Sequence, residues 1–232
     1  MKNLVVLTGA GMSVESGLST FRDAGGLWDK YPVMQVASIE GYLRDPGLVI
    51  DFYNQRRKEL LGVQPNDGHR GLAALEAAFR VTVITQNVDD LHERAGSTRV
   101  VHLHGELTKV CSSRNPNDPR YIRRLAPEEY EVKLGDKAGD GSQLRPFIVW
   151  FGEAVPQMET AIEATEKADI FVIIGTSLNV YPAAGLLYYV PSQAEVYLID
   201  PKPVDTHSAR HVHVIQKGAS EGVKELTALL QP

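Results

Sequence analysis

The sequence predicts an α/β fold, a doubly wound parallel sheet with a smaller inserted domain. Short β-branched runs at 4–7, 81–85, 100–103, 170–175, 196–200 and 211–215 alternate with stretches of helical periodicity. Such alternation is the pattern of parallel strands joined by helices on both faces. The first run passes directly into glycine, as Thr8-Gly9-Ala10-Gly11. The 232 residues are 43% apolar, enough for one large core or for a large and a small one.

Taken in order, helices are predicted over 67–79, 158–167 and 220–230, the last with Val223, Leu226, Leu229 and Leu230 at helical spacing. Another helix takes Asp45 as its cap, Pro46 in its first turn and Gly62 at its end. Two stretches, 25–62 and 110–146, do not fit the sheet and are expected to form the smaller domain. The sheet domain then takes 1–24, 63–109 and 147–232. The stretch 110–146 is rich in charge, proline and glycine, and its 133–142 portion is expected to be the most mobile loop.

Composition excludes several classes. With 24 basic and 29 acidic residues the net charge is -5, and no Lys/Arg run is long enough to track a nucleic acid; the cluster at 120–124 reads as solvated surface. No apolar run approaches the ~20 residues that span a bilayer. The chain starts without the charge, apolar and cleavage regions of a signal peptide. Its one cysteine, Cys111, rules out an intrachain disulfide. A cytoplasmic monomer without nucleic-acid or membrane partners is therefore expected.

A strand ending in Gly-x-Gly and entering a helix brings backbone N–H groups and a positive dipole end to a pyrophosphate, as in Rossmann-like sheets. Gly9 and Gly11 thus predict a dinucleotide. The fingerprint is incomplete, because Val14 stands where the third glycine belongs and no acidic residue closes a strand about 20 residues on. A tight turn without a ligand is the alternative. The polar run Ser19-Thr20-Phe21-Arg22-Asp23 favours the ligand, since an ordinary hydride-transfer unit has no need of it.

Other polar groups end other strands, on the edge where open α/β sheets bind ligands. Gln86, Asn87, Asp89 and Asp90 follow the run at 81–85; Asp89 and Asp90 read equally well as helix caps. Gly175, Thr176 and Ser177 follow 170–174, and Asp200 ends another strand, placed to accept from ribose hydroxyls. His104, followed by Gly105, lies on the same edge and can serve as a general base near neutral pH. His102 alternates with it; a two-histidine metal site would need further ligands, and a hydrogen-bonding role is expected instead.

In their order, Gly9-Ala10-Gly11-Met12-Ser13 with Gly17 and Phe21-Arg22-Asp23, Thr85-Gln86-Asn87-Val88-Asp89, His104-Gly105, Val149-Trp150-Phe151-Gly152-Glu153 and Gly175-Thr176-Ser177 resemble the sirtuins. The resemblance covers nearly the whole chain. It implies NAD-dependent removal of acyl groups from protein lysines, with NAD consumed and the acyl group ending on ADP-ribose. By motif, it makes His104 the base that deprotonates a ribose hydroxyl. Gln86, Asn87 and Asp89 would hold nicotinamide and its ribose. Gly9, Ala10, Gly11, Ser13, Phe21, Arg22 and Trp28 would enclose the pyrophosphate and reacting ribose, with 19–23 as a cover. Gly175, Thr176, Ser177, Asp200 and Ala219 would line the adenosine side. Val149, Trp150, Phe151, Gly152 and Glu153 would pair with the backbone of an acyl-lysine protein by strand addition.

Tyr53 and Arg56 lie three apart in the helix after Asp45 and share one face. A phenol and a guanidinium together can bind a carboxylate, although any Tyr-x-x-Arg can also be an ordinary amphipathic surface. The pair resembles that of the desuccinylase and demalonylase type of sirtuin, which implies succinyl and malonyl chains as substrates alongside acetyl. A deacetylase without this preference, or a non-catalytic NAD-binding module, is the competing reading, and ADP-ribosyl transfer stays open.

One family feature is missing. Most sirtuins hold a structural zinc with four cysteines, whereas this chain has Cys111 alone and no histidine between Gly105 and Pro146. No zinc is expected. The 110–146 stretch is expected to hold by packing of Tyr121, Ile122, Leu125, Tyr130 and Leu134.

Overall fold

The computed structural model describes residues 1–19, 31–205 and 211–230. Strand β1 (Asn3–Thr8) leads through two 3-10 turns, Ala10–Met12 and Val14–Ser16, toward helices α1 (Val33–Val36), α2 (Ile39–Arg44) and α3 (Pro46–Leu61). Helix α4 (Asp67–Ala74), β2 (Arg80–Thr85), α5 (Leu91–Arg94) and β3 (Val100–His102) follow. Then come β4 (Gly105–Ser112), β5 (Arg123–Arg124) and β6 (Leu144–Ile148). Helix α6 (Met158–Thr165), β7 (Ile170–Ile174), β8 (Glu195–Ile199), β9 (Val212–Ile215) and α7 (Ala219–Leu230) complete the described chain.

The main sheet has six strands in the order β3-β2-β1-β7-β8-β9, and every pair is parallel. Both faces are covered, which is why the strands read as unbroken apolar runs. Leu4, Val6, Val172 and Ile174 pack against Leu72 of α4 and Val223 and Leu226 of α7. Val5, Leu7, Phe171 and Ile173 face the other way, toward Ala161 of α6 and Leu186. The chain winds one way from β1 to β2 and β3, and the other way from β7 to β9. A crevice therefore opens where β1 and β7 end side by side, the position at which such sheets bind ligands.

A second, antiparallel sheet has the order β5-β4-β6. Sequence reading misses it, because the register slips between Gly105 and Val110 and a bulge destroys the alternation that marks a strand. Helices α1 to α3 pack on this sheet: Val36, Tyr42, Ile50, Phe52 and Leu60 share one apolar cluster with Leu107, Val110, Leu144 and Trp150. Local rules set the helix starts. Ser38 accepts from Gly41 N at 2.9 Å to cap α2, and Asp45 accepts from Leu48 N at 3.0 Å to cap α3, with Pro46 at the first position.

The 110–146 stretch holds differently from expectation. Of the five side chains named for it, only Leu125 is buried, while Leu134 is 65% exposed; Val132, Ala138 and Leu144 fill the core instead. Polar groups set the register. Asn54 on α3 donates to Val132 O at 2.8 Å and accepts from Val132 N at 2.9 Å, as a strand would. Buried Arg57 donates to Tyr130 O and to Asn54 Oδ1. The loop expected to be most mobile is tied down: Ser112 Oγ donates to Asp140 Oδ2 at 2.6 Å, Asn115 Nδ2 to the same oxygen at 3.0 Å, and Ser142 N and Oγ to Asp140 Oδ1.

This knot joins the end of β4 to the approach of β6 across 28 residues. The Ser112 and Ser142 hydroxyls hold the Asp140 carboxyl well below the usual range. A depressed folded pKa stabilises above the unfolded aspartate value of about 3.9, and the contribution is lost as the pH falls toward the folded value. Asp140→Ala should lower the melting temperature at pH 7 by a few degrees and converge with the parent in strong acid. A chelator should leave the parent's melting curve unchanged. Calorimetry across pH, with and without EDTA, reads both.

Candidate active site

The crevice between β1 and β7 is closed at its floor by backbone. A Cβ on Gly9 would meet Thr176 Cβ at 2.7 Å, and one on Gly11 would meet Gly175 Cα at 2.6 Å. The two glycines are thus required by the close approach of one loop to another, which the Gly-x-Gly reading had assigned to a ligand. The turn is followed by short 3-10 segments, so the regular-helix dipole expected at the pyrophosphate is not supplied by residues 10–16. Gly9 N donates to Ile174 O, Gly11 N to Gly175 O, Met12 N to Gly9 O and Ser13 N to Ala10 O. Ala10 N–H is left over, with no acceptor among the described residues.

Beside it stands a buried network from the end of β2. Ser13 Oγ donates to Asp89 Oδ2 at 2.9 Å and accepts from Asn87 Nδ2 at 3.1 Å, while Asn87 Nδ2 also reaches Gly9 O. Asp89 also accepts from Leu91 N, the first N–H of α5, while Asp90 holds the cap position without a side-chain bond, so Asp89 serves the helix start and the crevice network at once. Burial raises its pKa, and the hydrogen bonds from Leu91 and Ser13 offset part of the rise. Gln86 Nε2 donates to Thr176 Oγ1 at 3.0 Å, tying the β2 edge to the β7 edge.

His104 sits in the turn between β3 and β4, half-buried. Its Nδ1 lies 3.0 Å from Gln86 O. A carbonyl only accepts, so Nδ1 carries the proton and Nε2 presents its lone pair. Burial lowers the pKa, against a smaller upward pull from the Gln86 hydrogen bond, so the ring is neutral at pH 7. His102 differs. Its Nδ1 bonds Asn87 O at 3.2 Å and its Nε2 bonds Glu93 Oε1 at 2.7 Å. Burial works against its charge, but Glu93 outweighs burial and the pKa rises. Glu93, His102 and Glu106 lie close enough to hold a metal, yet Glu93 is engaged by His102, and Glu106 by Lys109 and Arg124. His102 thus acts by hydrogen bonding.

Tyr53 and Arg56 do share a face of α3. Tyr53 is 4% exposed and accepts from Trp150 Nε1 at 3.0 Å. Arg56 is close enough to bear on the Tyr53 phenol and also pairs with Glu59 at 3.4 Å. The segment of Val149, Trp150, Phe151, Gly152 and Glu153 is not a strand with a free edge. Val149 N donates to His104 O, Phe151 N to Ala37 O, Ile39 N to Phe151 O, and Trp150 N to Glu153 Oε2. Trp150 and Glu153 turn inward, the latter to Arg145 at 2.8 Å. Whole-strand addition here would break bonds already made, so the exposed part is Phe151 and Gly152.

Across the crevice, Ser177 is half-buried, Asp200 Oδ1 accepts from Lys202 N at 2.8 Å, and Ala219 is buried at the start of α7. Phe21, Arg22 and Trp28, and the cover at 19–23 beyond Ser19, lie outside the described residues.

Comparison with known proteins identifies the family. A Sir2 family profile matches residues 9–182. The chain belongs to the Sir2 family. The NAD-dependent protein deacylase of Bacteroides thetaiotaomicron is 78% identical over 232 residues, 100% of this chain and 99% of that protein. That of Helicobacter pylori 26695 is 52% identical over 226 residues, 97% and 96% of the two chains. A crystal structure of a Sir2 homologue bound to NAD superposes with a TM-score of 0.85 at 36% identity, covering 98% of this chain and 89% of that one.

The crevice also rests on His92 and Asn66, which the sequence reading did not single out, and on bonds of Thr8 and Thr85 that their motifs do not show. Thr8 Oγ1 donates to Thr85 Oγ1 at 2.8 Å and meets His92 Nε2 at 3.2 Å, while Thr85 Oγ1 accepts from Asn87 N. Asn66 Nδ2 donates to Met12 O at 2.8 Å and fixes the glycine turn from behind. A polar residue closing each apolar strand run, as Thr8 and Thr85 do, was the available signal. The donor set fits NAD: Ala10 N–H can meet a phosphate oxygen, and Asn87 Oδ1 and His104 Nε2, with no donor among the described residues, can accept from ribose hydroxyls.

Proposed function

We infer that this chain is an NAD-dependent protein deacylase, and we propose that its acyl pocket favours chains that end in a carboxylate. NAD, when bound, would supply the ribose carbon that nicotinamide leaves and the ribose hydroxyl that takes up the acyl group. The residues of the chain bind, orient and move protons. His104 Nε2 takes a proton from a ribose hydroxyl, with its tautomer set by Gln86 O. Asn87 and Asp89, braced by Ser13, hold the nicotinamide ribose, and Gln86 stands at the carboxamide. Ala10 N–H meets the pyrophosphate. Gly175, Thr176, Ser177, Asp200 and Ala219 line the adenosine side, and the exposed Phe151 and Gly152 face the peptide.

The observation that carries the acyl preference is the buried Tyr53 hydroxyl beside Arg56 on one face of α3. A buried phenol and a half-buried guanidinium are costly against a methyl group and favourable against a carboxylate. Incubation with NAD and acetyl-, succinyl- or malonyl-lysine peptides, followed by mass spectrometry, tests the function. Nicotinamide release should require an acyl peptide and proceed with higher kcat/KM on the acidic chains. Release without any peptide would favour ADP-ribosyl transfer, and no release would favour a binding module.

A further inference from the structure

The acyl pocket contains a hydrogen bond whose direction is chemically fixed. Trp150 Nε1 lies 3.0 Å from the Tyr53 hydroxyl oxygen. An indole N–H can only donate, so the phenol oxygen is the acceptor, and the Tyr53 proton must point elsewhere. No acceptor for it stands among the described residues. Burial raises the Tyr53 pKa, so the phenol keeps that proton across the working pH range.

The indole is held from three sides. Its ring lies 4.8 Å from that of Tyr42, and the Arg145 guanidinium stands 3.7 Å from its centre. Arg145, 1% exposed, donates to both oxygens of Glu153 at 2.8 and 2.9 Å. Glu153 Oε2 in turn accepts from Trp150 N at 2.9 Å. One ion pair therefore anchors both the ring and the backbone of Trp150, and restricts the rotation of the ring that meets Tyr53.

We propose that Trp150 is a positioning residue for acyl selectivity: its indole N–H occupies the Tyr53 oxygen and directs the phenol proton to the acyl carboxylate beside Arg56. The Arg145 and Glu153 pair locks the indole in that role. The proposal rests on the acidic-acyl reading of Tyr53 and Arg56, and it adds a donor that never touches the acyl chain.

Selectivity, the ratio of kcat/KM on succinyl-lysine to that on acetyl-lysine peptide, provides the test, since losses of folded enzyme cancel in it. Trp150→Phe keeps an aromatic ring and removes the N–H; it should lower the ratio about tenfold, through a higher KM for the succinyl peptide. Tyr53→Phe should lower it as well, and the double variant should fall no further than the Tyr53→Phe single, because the indole acts only through the hydroxyl. Additive losses, or an unchanged ratio in Trp150→Phe while Arg56→Met collapses it, would overturn the positioning role alone. A parent ratio near one, or one that Arg56→Met leaves intact, overturns the acidic-acyl reading and this proposal with it.

Discussion

Replacing His104 by alanine should lower kcat/KM on every acyl peptide by roughly 10²–10⁴-fold, the range over which a positioned general base contributes, while NAD still binds. The expectation follows from one atom. Gln86 O fixes the proton on Nδ1 at 3.0 Å, which leaves Nε2 as the acceptor at the crevice. Burial holds the imidazole pKa below its ordinary value of 6.5. A base works when neutral, so activity should rise with pH through a value beneath 6.5 and be near its plateau at pH 7. That acid limb should be absent from the residual activity of His104→Ala. His102 is displaced the other way, because Glu93 outweighs its burial, so the two histidines do not titrate together. A pH profile of kcat/KM, with NAD affinity measured by calorimetry, separates lost chemistry from lost binding. An unaltered acid limb in the variant would assign the base elsewhere.

Arg56→Met should remove most of the activity on succinyl- and malonyl-lysine and much less of that on acetyl-lysine. A carboxylate brought into the pocket without its guanidinium loses roughly 2–4 kcal/mol, tens- to several-hundred-fold in kcat/KM. Methionine approximates the length of the arginine stem, so packing on α3 is largely kept. Arg56 is only 11% exposed on its side chain, but its Glu59 partner is 45% exposed, and an ion pair with one partner half in solvent adds little to stability. A melting curve of the variant beside that of the parent reads whether the fold is kept. Equal losses on acidic and acetyl chains would show Arg56 to be a structural residue and leave a deacylase without acyl preference. Steady-state kinetics on the three peptides with one enzyme preparation decides between them.

Much of the fold was legible because it depends on local patterning. β1, β2, β7 and β8 are buried on both faces, so each reads as an apolar run whatever its neighbours. Asp45, Pro46 and Gly62 mark α3 within the helix itself. The second sheet was not legible, since the slip between Gly105 and Val110 breaks period two and β6 contains Pro146. The knot around Asp140 was read as a mobile loop for a related reason. Gly, Asp and Ser look like any turn until Ser112, 28 residues earlier, is brought against them.

At the site, the sequence by itself determined which chemical groups gather on the carboxyl edge of the sheet, because strand ends follow from strand positions. His104, Asn87, Asp89 and Thr176 belong to that list. Tertiary structure alone decided which of their atoms are left for a ligand. Gly9 and Gly11 serve the approach of Gly175, the 149–153 segment spends its N–H groups on Ala37, His104 and Glu153, and Trp150 fixes Tyr53 across 97 residues. The physical reason is that a side chain's type is local, whereas the hydrogen-bonding capacity it has left depends on partners that only folding brings within 3 Å of it.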